Sequence, residues 1–225
     1  MKLDNKILIT GSSGIIGGII TEYLKKDGYI VTELDIKNQD NNVDILLYDI
    51  FPYFYNVNTV IHLAANPNPF IGKIEADKNI EITKRVIDAC QGSRTVRRII
   101  NASSINVYPY RTIDRITKET PLTSNIHFNP KGYYGKAKIE CERLFEEFCR
   151  NNNLYLLNLR LGWVTKNDLH PPNNEPAHTR DIEVALKHED LKKIISRAIN
   201  YKGIGNYVCV SKRNGFIDDS ILFPL

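Results

Sequence analysis

The sequence predicts an α/β protein, a doubly wound parallel sheet with helices on both faces and a small C-terminal part. Three observations predict it. Short apolar runs alternate with segments of helical spacing along nearly the whole chain, which is the pattern of βαβ units. The first apolar run closes on a glycine-rich turn, "ITGSSGIIGG", that opens directly into a helix-like segment. The irregular stretches 105–133 and 163–180 each follow a strand, and open α/β sheets bind ligands at that carboxyl edge.

The elements follow in order. "KILIT" (6–10) reads as a buried strand, and "IIGGIITEYLKKDG" as a helix stopping at Gly28. "YIVTELD" (29–35) is β-branched and ends on an acid. "VDILLYDI" (43–50) and "TVIHLAA" (59–65) read as further strands. "NIEITKRVIDACQ" (79–91) is helical, "RRIINASS" (97–104) a strand, and "KAKIECERLFEEFCRNN" (136–152) a long helix. "LYLLNLRLG" (154–162), "HEDLKKIISRAIN" (188–200) and "NYVCVS" (206–211) supply a strand, a helix and a last strand. Right-handed crossovers make such a sheet doubly wound. The expected division is a nucleotide-binding domain over 1–162 and a small substrate-binding part over 163–225 that completes the same fold unit.

With 225 residues, 42% of them apolar and 25% charged, the chain can bury one good core. Its net charge of +4 is too small to argue for a nucleic-acid or membrane partner. The densest basic run, "RTVRR" (94–98), reads as a solvated turn. No apolar run is long enough to span a bilayer. Cys90, Cys141, Cys149 and Cys209 form neither a C-x-x-C pair nor a cluster of zinc spacing, so no metal is expected. Cys141 and Cys149 share one helix face and read as small buried apolar groups. The first residues run straight into "KILITGSSG" without a signal-peptide pattern. A cytoplasmic protein with reduced thiols is the expectation.

Gly11, Gly14 and Gly17 close the first strand and open the first helix. Gly11 suits the tight turn, Gly14 the approach of backbone to a pyrophosphate, and Gly17 close helix packing. The helix N-terminus offers N–H donors and a positive dipole end to phosphates. A glycine triplet alone is equally a structural turn, but its place between strand and helix favours dinucleotide binding. Asp35 ends the second strand about 20 residues beyond the glycines, where a carboxylate accepts ribose hydroxyls of NAD and repels a 2′-phosphate. Lys37 attracts phosphate, so NADP remains the alternative to NAD.

Tyr134 and Lys138, in "YYGKAK", are four apart and share a helix face. A phenol is a poor base at neutral pH, and a nearby ammonium favours the phenolate. That suits general acid–base work on an alcohol or carbonyl. The spacing alone is as well read as an amphipathic helix with a packed tyrosine. A second feature accompanies it: the strand ending in "NASSINVY" places Ser103 and Ser104 at the carboxyl edge.

Taken together, "TGSSGIIG", "LD" at 34–35, "YDI" at 48–50, "HLAA" at 62–65, "KN" at 78–79, "SSINVY" at 103–108, "YYGKAK" and "LRLG" at 159–162 resemble the extended short-chain dehydrogenase/reductase superfamily, the NAD-dependent epimerase/dehydratase family within it. The resemblance covers nearly the whole chain and implies a Rossmann-type fold with NAD. It implies that Ser104 is the catalytic serine, Tyr134 the general base, and Lys138 the partner that holds the nicotinamide ribose. Tyr133 does not fit, because Ala137 stands four residues after it. The resemblance places cofactor contacts at Gly11, Ser13, Gly14, Ile15, Ile16, Gly17, Asp35, Asp49, Ile50, Ala64, Ala65, Asn79, Tyr134, Lys138 and Leu161. Ile82 departs from the family, which often has glycine there, and a packing change is expected.

About 60 residues follow "LRLG", little for the sizeable part that grips a nucleotide in many relatives. That favours a small free sugar or sugar acid. The tail is similar to uronate dehydrogenases, which oxidise hexuronic acids at C1 to lactones with NAD. "RDIEVALKHEDLKKII" (180–195) resembles their segment with a substrate-binding arginine, so Arg180 would grip a carboxylate; the alternative is a surface arginine in a loop. Two departures concern the substrate. "NPNPF" (66–70) lacks their serine, and Ile105 and Asn106 replace their Asn and His. Asn66 and Asn106, with Ser104, therefore become candidate substrate contacts.

His62 reads as a satisfied core residue, His188 as the opening of a helix, and His127, His170 and His178 as loop residues without ligand-spaced partners. Trp163 is placed beside the nicotinamide or in the core. The leading expectation is an NAD-dependent oxidation of a hexuronate or aldose at C1. The enzymatic rival is a nucleotide-sugar epimerase or dehydratase with tightly held NAD; the non-enzymatic rival is an NAD-binding sensor. A homodimer through 79–91 and 136–152 is also expected, on the superfamily's habit.

Overall fold

The computed structural model describes residues 6–38, 42–108, 130, 132–169 and 184–211. Six parallel strands form one sheet: β1 (Lys6–Thr10), β2 (Ile30–Leu34), β3 (Thr59–His62), β4 (Arg98–Ser104), β5 (Tyr155–Leu161) and β6 (Ile204–Cys209). Their spatial order is β2-β1-β3-β4-β5-β6. Four described helices cover it: α1 (Ile15–Lys26), α2 (Lys73–Gly92), α3 (Tyr133–Asn152) and α4 (His188–Ala198). The doubly wound Rossmann-type sheet expected from the alternating pattern is the fold observed. The chain's direction reverses its placement between β1 and β3, the switch point at which such sheets bind ligands.

The strand alternation sorts two cores. On one face Ile7, Ile9, Ile61, Ile100, Leu157 and Leu159 meet Ile20 and Leu24 of α1 and Leu191, Ile194 and Ile195 of α4. On the other, Leu8, Val60, Ile99 and Leu156 meet Val86 and Ala89 of α2 and Phe145, Phe148 and Cys149 of α3. Truncating one such side chain, Leu157→Ala for example, costs roughly 2–5 kcal/mol. β6 pairs with β5 over its whole length and α4 packs on α1. The last described strand thus belongs to the same sheet as the first.

A polar row crosses the second face, two residues nearer the carboxyl edge. Thr10, His62, Asn101, Asn158 and Asn206 stand in register on β1, β3, β4, β5 and β6. Thr10 Oγ1 and His62 Nδ1 are 2.8 Å apart. Asn101 Nδ2 donates to Asn158 Oδ1 at 2.8 Å, and Asn158 Nδ2 to Asn206 Oδ1 at 2.8 Å. A one-residue slip would turn every one of these groups into the opposite, apolar core, so the row fixes register.

Several boundaries differ from the sequence reading. "VDILLYDI" is not a strand. Only Asn42 bridges to Asp35, after which Asp44 turns the chain by accepting from Leu46 N on its side chain and from Leu47 and Tyr48 N on its carbonyl. The run is apolar because Val43, Ile45 and Ile50 are buried, not because it joins the ladder. α2 starts at Lys73, two turns before 79, with Glu75 in its first turn favouring the dipole. α3 starts at Tyr133 and is capped after Asn152 by Asn153, which takes the left-handed conformation and returns its N–H to Cys149 O. All four cysteines are free, and Cys141 and Cys149 are buried as expected, with Cys90 and Cys209 buried as well.

Candidate active site

The chain must turn from β1 into α1 within four residues. Gly11 does so at φ +73°, a conformation that costs other residues strain. A Cβ on Gly11 would stand 2.7 Å from Ala64 N. Gly17 lets α1 lie on the loop: a Cβ there would meet Gly11 O at 2.2 Å and Ser12 Cα at 2.7 Å. Gly14 is the N-cap and packing does not demand it as strongly, with 3.3 Å to Gly11 O. α1 opens with no side-chain cap and no acid in its first turn. Its N–H groups and dipole are left to an outside anion. Ser13, Gly14 and Ile15 are exposed there, whereas Ile16 packs against the core.

Asp35 is seated against this loop. Its Oδ2 accepts from Ser13 N at 3.0 Å and its Oδ1 from Lys37 N at 2.7 Å. Asp49 is exposed and accepts from Phe51 N at 3.0 Å, while Ile50 is buried. Ala64 and Ala65 follow the end of β3 half-buried, and Leu161 is the buried last residue of β5. A helix end without its own anion, beside a fixed carboxylate, fits the phosphates and ribose of a dinucleotide.

β4 ends on Ser104, whose Oγ accepts from Asn106 N at 3.2 Å and so opens the short 3₁₀ turn Ile105–Val107. α3 comes close to this turn at Gly135, where a Cβ would stand 2.3 Å from Asn106 O and 2.6 Å from Pro130 Cβ. The approach turns Tyr134 and Lys138 inward, each 7% exposed, and leaves Tyr133 50% exposed. Lys138 Nζ donates to Ala102 O at 2.7 Å and lies 5.7 Å from the centre of the Tyr134 ring. The helix turn and the strand carrying Ser104 are therefore joined directly. His62 lies behind them, between Thr10 and the Thr83 hydroxyl, edge-on to Phe145. Burial, and secondarily the Lys138 charge, pushes the His62 imidazole down to about 3, so it is neutral, the satisfied core residue expected.

Asn79 is buried on α2 and spends its side chain on the backbone of Asn66: Oδ1 accepts from Asn66 N at 2.8 Å and Nδ2 donates to Asn66 O at 3.1 Å. Asn66 is exposed at the loop and Asn106 half-buried beside Ser104. Trp163 bridges to Ala185. His188 opens α4 as expected, its N–H donating to Asp168 Oδ1 at 2.9 Å. Arg180, with His127, His170 and His178, lies outside the described residues. Among the described residues no cluster could hold a metal ion, and no helix is long and apolar enough to cross a membrane.

The sequence reading missed a buried ionic cluster beside this site. Arg160 is 1% exposed; its Nη2 donates to Glu142 Oε2 at 2.8 Å and its Nε to Oε1 at 3.0 Å. Ser103 Oγ donates to Glu142 Oε1, and Arg160 Nη1 donates to Tyr108 OH at 2.9 Å. The signal was present: a charged residue inside "LLNLRLG", and Glu142 one turn after Lys138 on its face.

The profile of the NAD dependent epimerase/dehydratase family matches residues 7–190. An L-arabinose 1-dehydrogenase (NAD(P)(+)) of Haloferax volcanii is 28% identical over 177 residues, 72% of this chain and 68% of that one. UDP-arabinose 4-epimerase 1 of Arabidopsis thaliana is 26% identical over 190 residues, 72% of this chain but 43% of that one. The structure of uronate dehydrogenase from Agrobacterium tumefaciens superposes with a TM-score of 0.76 at 19% identity, covering 96% of this chain and 80% of that one, a likeness of fold.

Proposed function

The chain belongs to the NAD dependent epimerase/dehydratase family, with NAD as its cofactor, and from that premise we propose that it oxidises a free sugar or sugar acid, a hexuronate or an aldose, at C1 to the lactone. The observation that carries the proposal is the buried Tyr134–Lys138 pair tied to the Ser104 strand through Ala102 O. Its support beyond the site is the likeness to a sugar 1-dehydrogenase over most of both chains.

The Gly11–Gly17 loop and Asp35 would hold NAD, which would supply the hydride acceptor. Ser104 Oγ hydrogen-bonds the anomeric oxygen and orients it. The phenol oxygen of Tyr134 would act as the base for the proton of that hydroxyl while the C1 hydrogen leaves with its electron pair for the nicotinamide, and the C1–O single bond becomes the lactone carbonyl. Lys138, its ammonium held on Ala102 O, stands 5.7 Å from the centre of the Tyr134 ring. Because these groups stand on a strand end and a helix pinned to it, little ordering remains for the reaction itself. Asn66 and Asn106 line the same edge as substrate contacts, and Arg180 would take the carboxylate of a uronate.

The rival is epimerisation of a nucleotide-sugar, which the family description and the likeness to a UDP-arabinose 4-epimerase favour. Absorbance of reduced cofactor across hexuronates, aldoses and sugar phosphates separates the two. Net reduction with one class is expected. No reduction, with NAD retained through purification and a UDP-sugar interconverted, would replace the dehydrogenase by the epimerase.

A further inference from the structure

We propose that Glu142 and Arg160 are positioning residues for the reacting pair, holding α3 at one rotation and height against β4 and β5. The inference rests on Tyr134 and Lys138 being that pair. Glu142 follows Lys138 by one helix turn and Tyr134 by two, on the same inward face. Its carboxylate is 5% exposed and receives three donors: the Arg160 fork on both oxygens and the Ser103 hydroxyl on one. Ser103 precedes Ser104 on β4, and Arg160 stands opposite Ser103 on β5. Arg160 also donates to Tyr108, beyond the turn that Ser104 caps, with its guanidinium 5.4 Å from that ring centre. One carboxylate thus joins the helix of Tyr134 to two strands and to the Ser104 turn.

Apolar packing could hold α3 without any of these groups. It contributes along the C-terminal half through Phe145, Phe148 and Cys149, and along the N-terminal half through Tyr134 and Ala137 against Ile71 and Ala76. Apolar contacts have no required direction, however, and let a helix rotate or slide by fractions of an ångström. A bidentate guanidinium–carboxylate pair has a required plane and distance. Buried ion pairs add little stability over apolar groups of the same volume. The pair here lies where α3 carries Tyr134 and Lys138, one helix turn from Lys138 and beside the residue before Ser104. Placement, rather than stability, is what distinguishes it.

The test replaces the cluster by apolar groups, Glu142→Leu with Arg160→Met, and reads Tyr134 directly. 3-Fluorotyrosine is incorporated in place of all 12 tyrosines, and the Tyr134 ¹⁹F resonance is assigned by its loss in Tyr134→Phe. The wild type should give one sharp Tyr134 line. The double variant should keep its melting temperature within a few degrees, broaden or split that line, and lose at least about tenfold in kcat with KM for NAD unchanged. A sharp line at the wild-type shift, with undiminished kcat, overturns the proposal and makes the cluster structural only. Should the double variant not fold, Tyr108→Phe and Ser103→Ala each remove one hydrogen bond; an unmoved Tyr134 line in both overturns it equally. The fluorine readout needs no substrate. Absence of turnover in the wild type would defeat the dehydrogenase assignment, and the line would still report on positioning.

Discussion

His62 makes the fold sensitive to acid in a calculable way. Its imidazole is fully buried, with Thr10 on one nitrogen and Thr83 on the other, and ionises only at about 3 against an ordinary value of 6.5. The cause is first desolvation and then the charge of Lys138. The folded state therefore binds a proton less readily than the unfolded chain. Stability from the neutral ring is complete above 6.5 and declines as pH falls from 6.5 towards 3. Each unit of pH inside that window removes about 1.4 kcal/mol, so the loss between about pH 7.5 and pH 5 is about 2 kcal/mol. Urea unfolding of the wild type and of His62→Gln, followed across that range, isolates the contribution of this one residue. The stability gap between the two should narrow or reverse by about 2 kcal/mol on acidification. Parallel stability curves would show that His62 titrates normally and that the buried, neutral reading is wrong.

Other outcomes follow from single contacts. Tyr134→Phe should lower kcat by about 10² to 10⁴ and leave NAD affinity, read by calorimetry, nearly unchanged; full turnover would sink its role as base. Gly17→Ala drives a Cβ to 2.2 Å from Gly11 O, so α1 must shift; overpacking of about 1–3 kcal/mol should appear as a lower melting temperature together with weakened NAD binding. Asp35→Asn removes the charge opposing a 2′-phosphate and should raise the NADP-to-NAD ratio of kcat/KM by about tenfold or more; an unchanged ratio would place the discrimination elsewhere. A homodimer through α2 and α3, proposed on the superfamily's habit, should sediment at twice the mass of one chain at about 0.05 and about 0.5 M salt alike. Sedimentation showing a monomer at every salt would remove the dimer.

What the sequence revealed and what it hid have different physical causes. The strands of the central sheet announce themselves because they are buried on both faces and read as continuous apolar runs. The same rule misled at 43–50, where Val43, Ile45 and Ile50 are buried without a ladder and the Asx turn at Asp44 decides the backbone. The start of α2 was hidden because Lys73 to Lys78 is mostly exposed and carries little apolar period. The glycine turn and Asp35 were singled out by local spacing within a βαβ unit, whereas Tyr134 and Lys138, whose spacing alone fits any amphipathic helix, were singled out by the family resemblance. Asn79 was noticed, but its clamp on Asn66 depends on two segments 13 residues apart meeting at the sheet edge. The Glu142–Arg160 pair and the asparagine row were hidden for the same reason: their partners are set by sheet order, which no spacing displays.

The sheet order places the proposed reacting residues under one pair of helices. Beneath α2 and α3, successive rows change character towards the carboxyl edge. Leu8, Val60, Ile99 and Leu156 are apolar. Thr10, His62, Asn101 and Asn158 come next and hydrogen-bond one another in two groups. Ser103 and Arg160 follow, closed by Glu142. Depth in the sheet thus separates two kinds of variant. A change in the first row alters packing volume and is felt as stability. A change in the third leaves a directional contact unmade one residue from Ser104 or one turn from Lys138, and is felt as misplacement of groups whose reaction tolerates little of it.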